Sequence, residues 1–537
     1  MGKLYEKLNN RPAILLIVIV LLLPFAYFVN LGLMPLISDE PTRGIVTLEM
    51  LYSGNFITPT INGEFYYNKP PLFNWILAGF VQLSGLSNEF IFRLPTVISL
   101  LLTGIIIFLS ARKELGKINA MLVAIMFITS ARIVFWDSFQ GLIDITYSLI
   151  TFSSFTTLYY FSQKRNYLVL FIITYLFTAI GYLMKGLPSL AFQAISLVVW
   201  LTYDKSFRKL FSWQHLMGMA VFLLITGGYY FAYLQSNSLN DIFITLVGES
   251  NRLSDKQGTI FSWLSHLLVF PFEMSYEFAP WTVLLLLLLV KSVRQQVFAG
   301  KFIQFCLLIF ISNIIIYWIS ADMRPRYLFM LFPLLFLILI KGYEVAKKQK
   351  TLLSKISDII FQVLSFIGAF SLLVYLYWDE TNKMEGVWLV VPLLFLIALI
   401  AALLTIKLPK QRIALLAIVI LAVRIGFNSF NIPARYNSYP DAGYRQGEIE
   451  AGKLSAGFEL YVLRDTPFNH DASFYITRER KQIVTRTHEI GNKEACYISD
   501  AENLANFAAG LKDYSVLHEF TIKLNESKLY LIKKNNE

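Results

Sequence analysis

Residues 38–73 read SDEPTRGIVTLEMLYSGNFITPTINGEFYYNKPPLF, and their reading decides the fold. The stretch opens on Asp39-Glu40 and closes on Lys69-Pro70-Pro71-Leu72. Gly54, Asn55, Pro59, Asn62 and Gly63 between them are all turn-formers. A long apolar run, Pro12 to Leu33, comes immediately before it. Charge and punctuation gathered beside such a run mark a loop at the edge of a membrane, and the rest of the chain supports this. Of its 537 residues, 56% are hydrophobic and only 15% charged, against roughly a quarter in a soluble domain. A membrane-crossing helix needs about 20 apolar residues.

Outward from the loop, that length recurs. Pro12–Leu33 reads as an uncleaved anchor, because no small-x-small cleavage pattern precedes Asp39. Further spans are expected near 90–111, 118–135, 141–162, 166–184, 187–203, 213–234, 278–292, 302–320, 327–341, 355–377, 387–406 and 412–429, about thirteen in all. Residues 70–85 are apolar but short, and read as an interfacial helix within the first loop. With the N-terminus in the cytoplasm, every second connection is basic, from Arg112-Lys113 to Lys407–Arg412. That phase is the positive-inside signature. It puts the first loop (34–89) and the C-terminal tail on the opposite, outer face. The net charge of +11 lies in these short connections, so it argues for topology and not for nucleic acid.

After Phe430 the chain turns polar, and 431–537 reads as a small α+β domain outside the membrane. Strands are expected at Phe458–Leu463, Ser473–Thr477, Gln482–Thr485, Tyr514–Ile522 and Leu529–Ile532, with a helix at Ala501–Leu511. The two cysteines, Cys306 and Cys496, form neither a zinc pattern nor a disulfide framework.

The chemistry-bearing residues collect on the outer face. Asp39-Glu40 is a helix cap, a metal site, or a general base whose carboxylate is partly desolvated at the lipid edge and so better suited to that role. Lys69 is presented by two stiff prolines, or it snorkels to headgroups. Asp144 starts the fourth span, where carboxylates are expensive, with Arg132 as a partner. Lys185 ends the fifth span on the outer side, where a snorkelling anchor is its plain reading; Arg324, Arg326 and Tyr327 end the ninth span on the same side and suit a phosphate. Glu249 and Arg252 lie in the long outer loop. Aromatics such as Tyr66 form an interfacial belt or stack on a sugar.

The run from Asp39 to Leu72 resembles the first outer loop of the GT-C glycosyltransferases that use polyprenyl-phosphate sugars. These include the lipid A aminoarabinose transferases and the protein O-mannosyltransferases. Arg93-Leu94-Pro95, Asp144, Lys185-Gly186, Glu249, Pro280-Trp281 and Pro325-x-Tyr327 follow in the family's order. The resemblance implies an inverting transfer from a polyprenyl-phosphate-linked sugar to a lipid or protein acceptor in a bacterial inner membrane. It implies Asp39 as catalytic carboxylate with Glu40 beside it, and Lys69, Arg324, Arg326 and Tyr327 at the donor phosphate. Arg43, Tyr66, Asp144, Lys185, Glu249 and Arg252 would support the substrates. Candidate metal-ligand positions of the family carry Asn68 and Ser250 here, which argues against a divalent ion. A transporter or flippase of lipid-linked sugar is the alternative; it predicts carboxylates or broken helices near mid-membrane and uptake without covalent change. A non-catalytic scaffold would tolerate alanine at Asp39 and Lys69.

Overall fold

A computed structural model describes residues 13–251, 260–320, 323–438, 440–490, 494–508 and 514–534. Among them, seven helices are long and apolar enough to cross a membrane: Glu89–Ala111, Tyr167–Lys185, Trp213–Leu234, Lys301–Trp318, Leu352–Leu376, Val387–Lys407 and Arg412–Ser438. The other expected spans have less regular forms. The span at 118–135 is two helices, Lys117–Ile128 and Ala131–Phe139, bent by 45°. Ala13–Phe28 and Pro188–Tyr203 are apolar but short, and the segment near 278–292 holds a tight 3-10 helix, Trp281–Leu289. Helix Ile143–Gln163 has the length but carries Asp144 and a series of Ser and Thr residues. Helix Phe332–Lys348, at the expected span 327–341, is 17 residues long and ends in charged residues. The count of thirteen rests on taking these six irregular members as spans too.

The first loop folds into a compact cap. Its main helix, Glu40–Ser53, starts after Ser38, whose φ of 60° is left-handed, and stops at Gly54 in the same region. Such a backbone is costly for a residue with a side chain. Asn62 and Gly63 both have positive φ, as a tight two-residue hairpin turn requires. They join strands β1 (Thr60–Ile61) and β2 (Glu64–Phe65). Buried Glu49 holds this hairpin, accepting from Thr60 Oγ1 at 2.6 Å and from the amides of Asn62 and Gly63 at 2.5 and 3.3 Å. Burial pushes the Glu49 carboxyl above its ordinary range, and the three donors pull it back. Glu49→Ala leaves two backbone amides without their acceptor, at about 1–3 kcal/mol each. The expected result is faster chymotryptic cleavage at Phe65–Tyr67, with Glu49→Gln intermediate. The interfacial helix is present as Leu72–Ser84. Asn74 pins it to the main loop helix by donating to Arg43 O at 2.8 Å and Thr47 Oγ1 at 3.1 Å.

Beyond Ser438 a helix, Pro440–Leu454, leads into a five-stranded sheet. Its strands are β3 (Leu460–Leu463), β4 (Thr485–Thr487), β5 (Cys496–Ser499), β6 (Tyr514–Thr521) and β7 (Lys528–Lys534). The order is β4-β3-β5-β7-β6, parallel on the β4-β3-β5 side and antiparallel after it. Three strands lie close to their expected places, and β4 begins where one was expected to end. Strand β5 was not anticipated. The expected strand Ser473–Thr477 is instead the middle of a helix, His470–Arg480, capped by the Asn469 side chain accepting from the Ala472 amide. Residues 472–477 are all buried. Ala472 and Ile476 enter the core of the sheet domain, while Phe474 and Tyr475 join the membrane-domain core. Burial on both sides removes the one-sided apolar stripe by which a surface helix is told from a strand.

Candidate active site

The two carboxylates of Asp39-Glu40 part company at once. Glu40 turns inward, is 2% exposed, and meets Arg93 in a two-point pair of 2.8 and 2.9 Å. It also accepts from the amides of Ile37 at 2.8 Å and Gly141 at 2.6 Å. Arg93 spends its remaining donors on the carbonyls of Leu31, Met34 and Pro35. This fully satisfied buried pair ties three separate segments at the corner where the first apolar helix enters the loop. Glu40 is therefore enclosed and not beside Asp39 in an open site. Arg93 was legible in the sequence through the Arg93-Leu94-Pro95 resemblance, but not as the partner of Glu40.

Asp39 turns outward, with its side chain 61% exposed. It occupies the N-cap position but makes no capping hydrogen bond, so its side chain is available elsewhere. It is also less desolvated than a place at the lipid edge implies. It accepts from Arg326 Nη2 at 2.9 Å. Arg326, only 5% exposed, reaches back to Asp144 at 3.1 Å. Asp144 accepts from Lys185 Nζ at 2.5 Å, and that ammonium lies 4.3 Å from the centroid of Tyr327 and 5.1 Å from that of Tyr147. Four residues from distant parts of the sequence thus form one alternating chain: Asp39, Arg326, Asp144, Lys185. Proline positions the central arginine, since Pro325 starts the short helix Pro325–Leu328.

Lys69 lies within electrostatic reach of both Asp144 and Lys185, and exposed Arg324 within reach of Tyr327. One turn beyond Asp39, Arg43 donates to the Tyr66 hydroxyl and sits 5.2 Å from its ring centre. Arg132 does not partner Asp144. The bend in its helix pair directs it to Asp137 at 2.5 Å and Glu277 at 3.3 Å. Glu249 is in helix Asn240–Asn251, its side chain outside the description, and Arg252 lies outside the described residues. Among the described residues, no three His, Cys, Asp or Glu side chains gather as a metal site would require. At two candidate ligand positions the sequence carries an amide, Asn68, and a hydroxyl, Ser250.

Residues 68–230 match the family model described as dolichyl-phosphate-mannose-protein mannosyltransferase. A protein of Aquifex aeolicus is 24% identical over 470 residues, covering 86% of each chain. The undecaprenyl phosphate-alpha-4-amino-4-deoxy-L-arabinose arabinosyl transferase of Edwardsiella ictaluri is 25% identical over 189 residues, 35% of this chain and 34% of that enzyme. Among solved structures, ArnT from Cupriavidus metallidurans bound to undecaprenyl phosphate superposes with a TM-score of 0.68 at 16% identity, over 96% of this chain and 97% of that one. The chain thus has the fold of that ArnT structure, and its residues 68–230 are similar in sequence to the mannosyltransferase family model.

Proposed function

We propose that the chain moves a sugar, with inversion, from a polyprenyl-phosphate donor to an acceptor at the outer face of a bacterial inner membrane. The acceptor is a lipid such as lipid A, or a protein hydroxyl. The observation that carries this reading is the Asp39–Arg326–Asp144–Lys185 chain, assembled where helices from across the sequence end. Asp39, at its exposed end, takes the acceptor's proton or orients its oxygen. That oxygen bonds to the anomeric carbon from one side. The bond from that carbon to the phosphate oxygen breaks on the other, and its electron pair leaves with the phosphate.

The charges near this chain favour this direction. Arg326 and Lys185 face Asp39 and Asp144 in ion pairs, and Lys69 and Arg324 bring two further cations close to them. A donor phosphodiester carries one negative charge, and the monoester it becomes approaches two. Fixed cations therefore stabilise the transition state more than the bound donor. Arg326 has a second duty: it holds Asp39 at the site. Arg326→Met is expected to lower turnover on the order of 10²–10³-fold, the usual effect of losing one such donor. Arg326→Lys recovers only part, because an ammonium cannot span two carboxylates in a planar fork. Release of polyprenyl phosphate by purified variants measures it.

The test of the reading is lipid and glycoprotein mass spectrometry of a deletion strain. It predicts one sugar modification lost on deletion, restored by the wild-type gene and not by Asp39→Asn. Unaltered profiles, or restoration by Asp39→Asn, would overturn it.

A further inference from the structure

Helix His470–Arg480 belongs to the C-terminal domain, yet its N-terminal half lies against the chain that carries Asp39. Tyr475 is 1% exposed, and its hydroxyl accepts from the Leu36 amide at 3.0 Å. His470 Nδ1 shares a hydrogen bond of 2.7 Å with Thr42 Oγ1. Leu36 and Thr42 stand three residues before and three residues after Asp39. Two further contacts extend the grip. Phe474 fills the space beside Gly44, where a Cβ would come within 2.6 Å of its ring, and Ser473 hydrogen-bonds Asn62 at the hairpin turn. Behind them, Glu89, 1% exposed, takes Arg445 at 2.8 Å and Arg478 at 3.6 Å. These pairs lock the C-terminal domain to the start of the Glu89–Ala111 helix.

The segment so gripped includes a strained residue next to Asp39. Ser38 stands in a left-handed backbone conformation, which a residue with a side chain keeps only when its surroundings impose it. Asp39 makes no capping bond that would fix its direction. Arg326 holds the carboxylate at its tip and Arg93 and Glu40 bind the main chain from Leu31 to Ile37, while the C-terminal domain adds one bond on each side of Asp39, to the Leu36 amide and to the Thr42 hydroxyl.

We infer that the helix His470–Arg480 is a positioning element for Asp39, with Tyr475 and His470 as positioning residues on either side of it. The inference rests on the reading of Asp39 as the catalytic carboxylate. It assigns the C-terminal domain a part in the transfer step, because a small displacement of a reacting group lowers turnover more than it lowers substrate binding. His470 also lies within electrostatic reach of Asp39 and Arg43, so the same helix end contributes to the polar rim of the site.

Tyr475→Phe deletes one hydroxyl and keeps the buried ring. Two measurements on the full chain in nanodiscs test it. Hydrogen exchange read by mass spectrometry is expected to speed up on the order of tenfold at residues 36–43 in Tyr475→Phe and His470→Ala, with transmembrane peptides unchanged. His470→Gln, which retains a hydrogen-bonding partner for Thr42, is expected to stay near wild type. In release of undecaprenyl phosphate from a lipid-linked sugar donor, Tyr475→Phe is expected to lower kcat about tenfold while leaving the donor KM within twofold. Exchange at 36–43 equal to wild type in both variants would overturn the inference, as would an unchanged kcat in Tyr475→Phe. A wild type that releases no undecaprenyl phosphate from any donor would instead overturn the glycosyltransferase reading, while the exchange result would still decide whether the helix holds this segment.

Discussion

Asp39→Asn is expected to lower sugar transfer by 10²–10⁴-fold, the range over which a positioned general base contributes, while the fold stays intact. Both halves of this expectation come from geometry. The side chain is mostly exposed and makes one ion pair, so its charge adds at most about 1 kcal/mol to stability. Asn is isosteric and still accepts from Arg326, so the position of the group is preserved and only its basicity is lost. Single-turnover rates measured alongside thermal unfolding separate the two effects. A large loss of stability would show that Asp39 is chiefly structural, and unchanged turnover would remove it from the catalytic step.

The neighbouring residue is expected to behave in the opposite way. Glu40→Ala leaves the Arg93 guanidinium buried without its counter-charge. Breaking such a pair from one side costs about 3–5 kcal/mol, and the two amide donors from Ile37 and Gly141 lose their acceptor as well. The variant is expected to unfold at far lower temperature or to fail to accumulate. Glu40→Leu combined with Arg93→Met removes both charges and should recover much of the loss. Thermal unfolding of the two single variants and the double variant in one detergent checks this. A Glu40→Ala protein as stable as wild type would mean that Arg93 finds another partner.

Adjacent carboxylates with such different fates show where sequence reading succeeds and where it stops. Asp39-Glu40 stands out by composition, but the direction of each side chain depends on Arg326 and Arg93, which no local pattern connects to it. Asn62-Gly63 is legible because a tight turn needs positive φ from residues that allow it. The helix at 470–480 is not legible, because its burial by two different domains erases the one-sided apolar stripe that separates helix from strand. Asp144 was recognisable as a costly intramembrane charge, but its partners were not: Arg132 is near in sequence yet is turned away by a bend, whereas Lys185 and Arg326 arrive on other helices. The positive-inside pattern survives irregular spans because it depends on loops alone. Helix number does not, since tight turns, bends and hydroxyl-rich helices interrupt the apolar lengths on which it depends.

The central claim is that the outer-face chain beginning at Asp39 is where a sugar leaves a polyprenyl phosphate. The most direct measurement gives the purified protein undecaprenyl-phosphate-linked aminoarabinose and mannose in turn, with lipid A or a hydroxyl-bearing peptide as acceptor. Released undecaprenyl phosphate is quantified, and the anomeric configuration of the product is read by NMR. The account predicts acceptor-dependent release with inverted configuration from wild type and background release from Asp39→Asn. Equal release by the two proteins, retained configuration, or movement of the donor across the membrane with its glycosidic bond intact would contradict it.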